Sequence, residues 1–239
     1  MIRRALVFAA GRGERMRPLT DRVPKPLLEA GGRRLVEWHL EKLAAAGFDE
    51  VVINTAHLAT QFPAALGDGS RWGLRLRYSH EGDEPLETGG GMLHALGHFD
   101  GAPFAVVNGD VWTDFDFAHL PTEPAGVAHL VLVDNPPQHP HGDFRLDADA
   151  GVHAEGAPRL TYAGIGVYRP ALLDHWQDDL AAAGAAWDGT RPPRFALVHL
   201  LRAAMRRGAV SGEHHRGRWT DVGTPQRLAE LDAALAGSP

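Results

Sequence analysis

The sequence contains no cysteine among its 239 residues. This excludes disulfide bonds and thiolate metal sites and is typical of a protein of a reducing compartment, so we expect a cytoplasmic location. No apolar run approaches the ~20 residues of a membrane-spanning helix, and the first run is too short for a signal peptide. Positive charge is not in excess, since 24 Lys and Arg oppose 30 Asp and Glu for a net charge of −6. We therefore expect neither a membrane nor a nucleic acid as partner.

The apolar residues, 44% of the chain, suffice for a single core, and we predict one domain over residues 1–239. No internal repeat is visible, so we expect no appended β-helix domain. Buried-strand patterns at Ala5–Ala9, Glu50–Asn54 and Phe104–Asn108 alternate with helical patterns. This rhythm predicts an α/β fold: a Rossmann-like, mostly parallel mixed sheet flanked by helices. Ligands of such sheets bind at the carboxyl ends of the strands.

The most informative stretch follows the first strand and reads AAGRGERMRPLTDRVPKPLL. Gly11 and Gly13 allow the backbone to approach a ligand closely and to turn amide groups onto anionic oxygens. Arg15 offers a planar fork of donors and Lys25, between two prolines, a restrained point charge. The combination predicts a polyphosphate site. A Walker A loop is excluded because no lysine follows the glycines directly, and a GxGxxG dinucleotide motif because its third glycine is replaced by Met16.

The complete string, AAGxGxRMxPLTxxxPKPL, resembles the signature of the sugar-1-phosphate nucleotidyltransferases. The resemblance implies a GT-A-like fold without a β-helix domain and an in-line attack of a sugar phosphate on the α-phosphorus of a nucleoside triphosphate. It also implies that Arg15 holds the β- and γ-phosphates, while Lys25 holds the attacking phosphate and the α-phosphate. The amino-terminal half would then bind the nucleotide and the carboxyl-terminal half the acceptor.

Two aspartates are candidates for a magnesium site. Asp110 ends an apolar strand within NGD, and Asp221 lies near the other end of the chain within WTDVGTP. Taken alone, Asp110 is more typical of a turn or helix cap than of a metal ligand. The family resemblance implies that both aspartates bind Mg²⁺, a cation that prefers oxygen ligands.

Nucleotide contacts are predicted in the glycine-rich loop and near residues 81–91. The backbones of Ala10 and Gly11 can reach a base edge. The resemblance places Thr88 and Gly89 near base and ribose and Glu81 near a base-contacting position, although a solvated loop charge is an equal alternative for Glu81.

Acceptor contacts are predicted at Asn108, which precedes the metal aspartate, and at Gly164, in a strand matching the sugar-lining strand of the family. The family's Glu-Lys-Pro motif is replaced by the segment 155–159, which lacks its lysine, so those contacts cannot be transferred as a set. Asp143 is a possible substitute, with an ordinary hairpin charge as the alternative.

Further segments, among them GDGSRWGLRLRYSHEGDEPLETGGG and VSGEHHRGRWTDVGT, resemble the uridylyltransferases that act on N-acetylmuramate α-1-phosphate. This implies UTP and that sugar phosphate as substrates, in cell-wall recycling. The lactyl carboxylate of the sugar would require a cation, for which Arg145, Arg159 and Arg194 are candidates.

Three other functions remain open from the sequence. A related enzyme could use another hexose or heptose 1-phosphate with dTTP or GTP, because pocket shape decides that choice. A GT-A-type glycosyltransferase would have no evident use for Lys25 or Arg15. A non-catalytic nucleotide-binding regulator would not need a second carboxylate. The sequence does not decide the oligomeric state.

Overall fold

The structure is a computed structural model that describes residues 2–185, 187, 189 and 191–237. Within these residues the chain forms thirteen strands and six α-helices. The strands are β1 (Arg4–Phe8), β2 (Glu29–Ala30), β3 (Arg33–Arg34), β4 (Glu50–Thr55), β5 (Arg75–His80), β6 (Phe104–Asn108), β7 (Val111–Thr113), β8 (Ala128–Val133), β9 (Arg145–Leu146), β10 (Val152–His153), β11 (Thr161–Tyr168), β12 (Val210–His215) and β13 (Trp219–Asp221). The helices are α1 (Leu35–Ala45), α2 (Gln61–Leu66), α3 (Glu87–Ala95), α4 (Trp176–Ala182), α5 (Leu197–Arg206) and α6 (Pro225–Ala236).

The main sheet of the described residues has seven strands in the order β12-β8-β11-β6-β1-β4-β5. Neighbouring strands pair in parallel except at β11, which is antiparallel to both β6 and β8. Six strands therefore run in one direction and their carboxyl ends meet at one edge. The predicted α/β, mostly parallel mixed sheet is confirmed.

Both faces of the sheet are covered, which explains why the central strands are continuous apolar runs. In β1, Val7 faces a core cluster with Leu40 and Leu43 of α1. The preceding side chain, Leu6, faces the other cluster with Met92 of α3 and Leu200 of α5. Successive side chains of a strand point to opposite faces, so a single apolar run fills both layers.

Two elements differ from the sequence-based expectation. The apolar spacing of residues 170–182 predicts one helix, but the structure has a 3₁₀ turn at Pro170–Leu173 followed by α4, because His175 between them is outside helical geometry (φ −119°, ψ 31°). The pairing of β13 with β7 was not predicted. It brings a late segment of the chain beside the end of β6.

Short 3₁₀ turns at Glu14–Met16, Leu19–Asp21 and Lys25–Leu27 shape the glycine-rich segment. The glycine and proline content of residues 184–194 predicts a mobile loop, and residues 186, 188 and 190 of that segment lie outside the described residues. None of the helices in the described part of the chain has the length and apolar character needed to cross a membrane.

Candidate active site

A cleft of about 850 Å³ lies at the carboxyl ends of β1, β4 and β6. Its walls include eight of the residues predicted from the sequence: Ala10, Gly11, Gly13, Arg15, Lys25, Thr88, Asn108 and Asp110. Four charged residues that were not in the predicted site also line it: Arg12, Glu14, Glu84 and Glu87. The structure therefore gathers most of the predicted nucleotide and phosphate groups at the edge of the sheet where ligands of doubly wound folds bind.

The two glycines of the glycine-rich loop, Gly11 and Gly13, lie in different surroundings, and glycine suits each position for a different physical reason. Gly13 adopts φ +63°, and a Cβ there would lie 2.8 Å from Cγ2 of Thr20. The Thr20 hydroxyl donates to the Gly13 carbonyl at 2.9 Å, which closes the turn. At Gly11 no described atom would lie within 4 Å of an added Cβ, so this backbone is open to the cleft. Close approach of a ligand is therefore possible at Gly11, while Gly13 shapes the loop.

Lys25 and Asp110 form an ion pair, with Nζ 2.6 Å from Oδ2. The lysine side chain is only 10% exposed and the aspartate side chain 37%. Asp110 follows Gly109, where a Cβ would lie 2.8 Å from the Phe8 carbonyl oxygen. A side chain at Gly109 would thus push the ends of β1 and β6 apart, together with the two charges they carry.

Arg15 has a different environment. Among the described residues no carboxylate lies within ion-pair distance of Arg15, whereas Arg12 faces Glu84 at 4.0 Å and Arg194 faces Glu87 at 3.6 Å. An exposed guanidinium without an internal partner is available to an anionic ligand.

The second predicted metal ligand, Asp221, ends β13 directly beside β7. Asp221 pairs with Val111, and the Val222 amide donates to the Asp110 carbonyl at 2.8 Å. Arg227 and Gln138 both donate to Oδ1 of Asp221, each at 2.6 Å. Asp221 does not itself line the cleft, but Gly223 does.

These contacts leave one oxygen of each aspartate available to a cation. Within the described residues Lys25 occupies Oδ2 of Asp110, and the two donors to Asp221 share Oδ1. No cluster of three or more His, Cys, Asp or Glu suited to a metal occurs in that part of the chain. Mg²⁺ commonly takes only one or two carboxylates and completes its shell with water and phosphate oxygens, so the two aspartates fit it.

Glu81 lies outside the cleft lining, in the protein interior. Its carboxylate accepts hydrogen bonds from Asn54 Nδ2 at 2.6 Å and from the Leu86 amide at 2.7 Å. Burial raises the pKa of this carboxyl group, against the lowering effect of the two donors. A direct contact of Glu81 with a base stays a prediction.

The glycines of the run Gly89–Gly91 lie against other segments of the protein, which occupy the space that their side chains would take. A Cβ at Gly89 would lie 2.4 Å from the Phe195 ring, and one at Gly90 would lie 2.3 Å from the Pro193 carbonyl oxygen. The amide groups of Gly89 and Gly90 both donate to the Phe195 carbonyl, at 2.9 and 3.1 Å. The segment before α5 is thereby attached to the start of α3, and Thr88, not Gly89, faces the cleft.

Of the predicted acceptor contacts, Asn108 and Gly164 lie together. Gly164 adopts φ +73° in the irregular part of β11, and a Cβ there would lie 2.5 Å from Asn108 Nδ2. Asp143 is held by other groups, since it accepts from the Tyr162 amide at 2.8 Å and pairs with His139 at 3.0 Å. The structure places only Asn108 of these three on the cleft wall.

The three arginine candidates are separated by their positions. Arg194 lines the cleft. Arg159 donates to the Gly156 carbonyl at 3.0 Å, and Arg145 packs against Gly156, where a Cβ would lie 2.8 Å from its side chain. Only Arg194 thus faces the space in which substrates would bind.

Residues 4–144, which supply most of this cleft, match the family of nucleotidyl transferases, and the chain belongs to that family. Two curated relatives carry a more specific name, N-acetylmuramate alpha-1-phosphate uridylyltransferase. The protein from Neisseria meningitidis serogroup B is 48% identical and aligns over 98% of this chain and 99% of its own length. The protein from Caulobacter vibrioides is 32% identical, with 97% and 96% covered. The predicted family is confirmed.

A crystal structure from Bacillus anthracis has the same fold. It is described as a candidate glucose-1-phosphate thymidylyltransferase in complex with sucrose, and it superposes with a TM-score of 0.81. The match covers 99% of this chain and 96% of that one at 19% identity, so the architecture is shared although few residues are.

Proposed function

We propose that the protein transfers UMP from UTP to N-acetylmuramate α-1-phosphate, giving the nucleotide sugar and pyrophosphate, in cell-wall recycling. The observation that carries this proposal is the alignment, over nearly the whole chain, with two relatives named for that reaction. The cleft supports it because its cations, Arg12, Arg15, Lys25 and Arg194, suit substrates that both carry phosphate.

The reaction is an in-line displacement. An oxygen of the sugar phosphate forms a bond to the α-phosphorus of UTP while the bond to the bridging oxygen of the β-phosphate breaks. The attacking oxygen is already anionic, so no base has to remove a proton. Lys25 holds the attacking and α-phosphates, and Arg15 binds the β- and γ-phosphates and stabilises the leaving pyrophosphate.

Magnesium is proposed as the cofactor, held by Asp110 and Asp221. When bound, Mg²⁺ would neutralise phosphate charge and align the reacting groups. Lys25 forms an ion pair with Asp110, and Arg227 forms one with Asp221. This arrangement keeps two acidic groups in place beside a site for polyanions.

The acceptor differs from other amino sugar phosphates by its lactyl carboxylate. We assign this group to Arg194, because it is the one of the three candidate arginines that lines the cleft. Its contact with Glu87 is 3.6 Å long and both side chains are about half exposed (55% and 45%), so the guanidinium can exchange partners at little cost. The substrates and the cysteine-free composition suit the cytoplasm.

Release of pyrophosphate tests the proposed function. The purified protein with Mg²⁺ is assayed with each of UTP, ATP, GTP, CTP and dTTP against the 1-phosphates of N-acetylmuramate, N-acetylglucosamine, glucose and mannose. We expect turnover confined largely to UTP with the first acceptor. Faster turnover with another pair would retain the family and reject this substrate assignment.

A further inference from the structure

Two polar side chains are buried between the ends of β4 and β5. Asn54 is 2% exposed and Glu81 5%. The Ala9 amide donates to Asn54 Oδ1 at 2.6 Å, Asn54 Nδ2 donates to Glu81 Oε1 at 2.6 Å, and the Leu86 amide donates to Glu81 Oε2 at 2.7 Å. We call this unbroken chain of hydrogen bonds the Asn54–Glu81 brace.

The brace joins two walls of the cleft that are distant in sequence. At one end Ala9 begins the glycine-rich loop and lines the cleft. At the other end Leu86 directly precedes Glu87 and Thr88, which line it as well. Each hydrogen bond of the brace joins one donor to one acceptor, and none of these groups has a second hydrogen-bond partner among the described residues. A shift of the Ala9 backbone is therefore transmitted through the two side chains to the Leu86 backbone.

The charge of Glu81 is unusual for a structural contact. No Lys or Arg in the described part of the chain lies within ion-pair distance of its carboxylate, and the nearby titratable groups are His80 and His94. Burying a carboxylate without a cation is costly, and a neutral side chain would avoid that cost. The two donors recover part of it only while both walls stay in place.

Gly91 supports the same interpretation. A Cβ at this position would lie 2.4 Å from Glu81 Oε1 and 2.7 Å from Asn54 Nδ2. Gly91 lies within α3, where alanine would favour the helix by about 1 kcal/mol. The missing methyl group therefore makes room for the brace at the expense of the helix.

We propose that Glu81 is a positioning residue for the nucleotide, and that it acts through Asn54 and the Leu86 amide without touching the base. The brace sets the spacing between the glycine-rich loop and the Glu87–Thr88 wall, and thereby the width of the nucleotide subsite. This inference rests on the proposed function for the identity of the nucleotide, UTP, but not for the brace itself.

An exchange of polarity tests the brace. In Glu81→Gln the carboxamide NH₂ group of the introduced glutamine faces the NH₂ group of Asn54, so two donors meet. In Asn54→Asp the introduced carboxylate faces that of Glu81, so two acceptors meet. Each single change therefore removes the hydrogen bond between the two side chains. In the double variant the introduced glutamine would donate to an oxygen of the introduced aspartate and accept from Leu86, while that aspartate would accept from Ala9. The double variant thus restores every hydrogen bond with the same net charge.

Two readouts separate positioning from general destabilisation. The first is kcat and KM for UTP in the pyrophosphate assay, with thermal unfolding in parallel. We expect each single variant to raise KM for UTP by about tenfold with a smaller change in kcat, and the double variant to return within about threefold of the wild type. The second is amide hydrogen exchange of peptides covering residues 5–16 and 82–92, which should accelerate in both segments of each single variant and recover in the double variant.

Gly91→Ala provides an independent variant that leaves both side chains of the brace unchanged. We expect it to raise KM for UTP as well, although the substitution favours the helix. Gly97→Ala is the matched control, because no described atom lies within 4 Å of a Cβ at Gly97. It should leave KM unchanged.

Two results would overturn the inference: an unchanged KM for UTP in both single variants, or a double variant no better than the worse single one. If the wild type itself does not turn over UTP, the proposed function fails, and hydrogen exchange alone decides on the brace. If amide hydrogen exchange in the single variants then accelerated in only one of the two segments, 5–16 or 82–92, the brace would be rejected.

Discussion

The ammonium group of Lys25 lies 2.6 Å from a carboxylate oxygen of Asp110, although 85 residues separate them in the chain. The contact joins the glycine-rich loop after β1 to the end of β6. Because the lysine side chain is only 10% exposed and pairs with Asp110, its ammonium group is held in one place at the cleft wall. A substrate phosphate that enters the cleft therefore meets a cation that is already positioned, which lowers the entropy lost on binding.

Removal of this cation should abolish most of the activity. For Lys25→Ala we expect the rate at saturating substrate to fall by about 10²–10³, the usual effect of deleting one preorganised electrostatic group. Pyrophosphate release measures it, with thermal unfolding to verify that the variant is folded. Arg22→Ala, an exposed residue away from the cleft, is the control. Wild-type activity of Lys25→Ala would refute the assigned role.

The carboxylate of Asp221 should determine the magnesium requirement. In Asp221→Asn the amide oxygen can still accept from Arg227, but the other atom becomes an NH₂ group that cannot bind a cation. We expect the Mg²⁺ concentration for half-maximal activity to rise by at least about tenfold. The measurement is activity as a function of Mg²⁺, with the exposed Asp174→Asn as control. An unchanged Mg²⁺ dependence would remove Asp221 from the metal site.

Arg194 should distinguish acceptors with and without a lactyl group. We expect Arg194→Ala to raise KM for N-acetylmuramate α-1-phosphate by about tenfold or more, the effect of one lost charge-assisted hydrogen bond. The residual reaction with N-acetylglucosamine 1-phosphate, which has a hydroxyl group at that position, should change little. Arg159→Ala serves as the control outside the cleft. Equal losses with both acceptors would show that Arg194 binds a group common to both.

His39 should make the stability of the fold sensitive to acid. Its Nε2 donates to the Val111 carbonyl at 2.8 Å, and burial lowers its pKa from the ordinary 6.5 to about 4. The folded-state pKa lies below the unfolded one, so the unfolded chain binds the proton first. The contribution of neutral His39 to the free energy of unfolding is therefore complete above pH 6.5. It falls by about 3 kcal/mol as the pH falls from 6.5 towards 4.

His39→Gln isolates this contribution. Glutamine can keep the hydrogen bond to Val111 but does not titrate. Urea unfolding at several pH values between about 7 and 4 should therefore show a shallower loss of stability in the variant than in the wild type. If the free energy of unfolding of the two proteins fell equally with pH, His39 would not titrate as its burial implies.

Much of the fold could be predicted because each central strand is specified locally. β1, β4 and β6 are runs of apolar residues, and the helices between them follow an amphipathic spacing. The meeting of Lys25 with Asp110 then follows from topology, since both come after parallel strands. The break at His175 could not be predicted, because a 3₁₀ turn and an α-helix share nearly the same apolar spacing.

The remaining differences in the site arise from contacts between distant segments. Gly89 and Gly90 are explained by their contacts with Phe195 and Pro193, and Glu81 by its hydrogen bond to Asn54, which is not among the predicted site residues. A local pattern can indicate that the backbone must approach something closely, but not whether that is a ligand or the protein itself. Asn54 had one available signal, its place at the end of a buried strand like Asn108.

The most direct test is the identity of the product. The protein is incubated with Mg²⁺, UTP and equal concentrations of the 1-phosphates of N-acetylmuramate and N-acetylglucosamine, and the nucleotide sugars are quantified by mass spectrometry. We predict that the UDP-linked product is almost entirely that of N-acetylmuramate, and that this preference weakens in Arg194→Ala. Predominant formation of the N-acetylglucosamine product would contradict the proposed function.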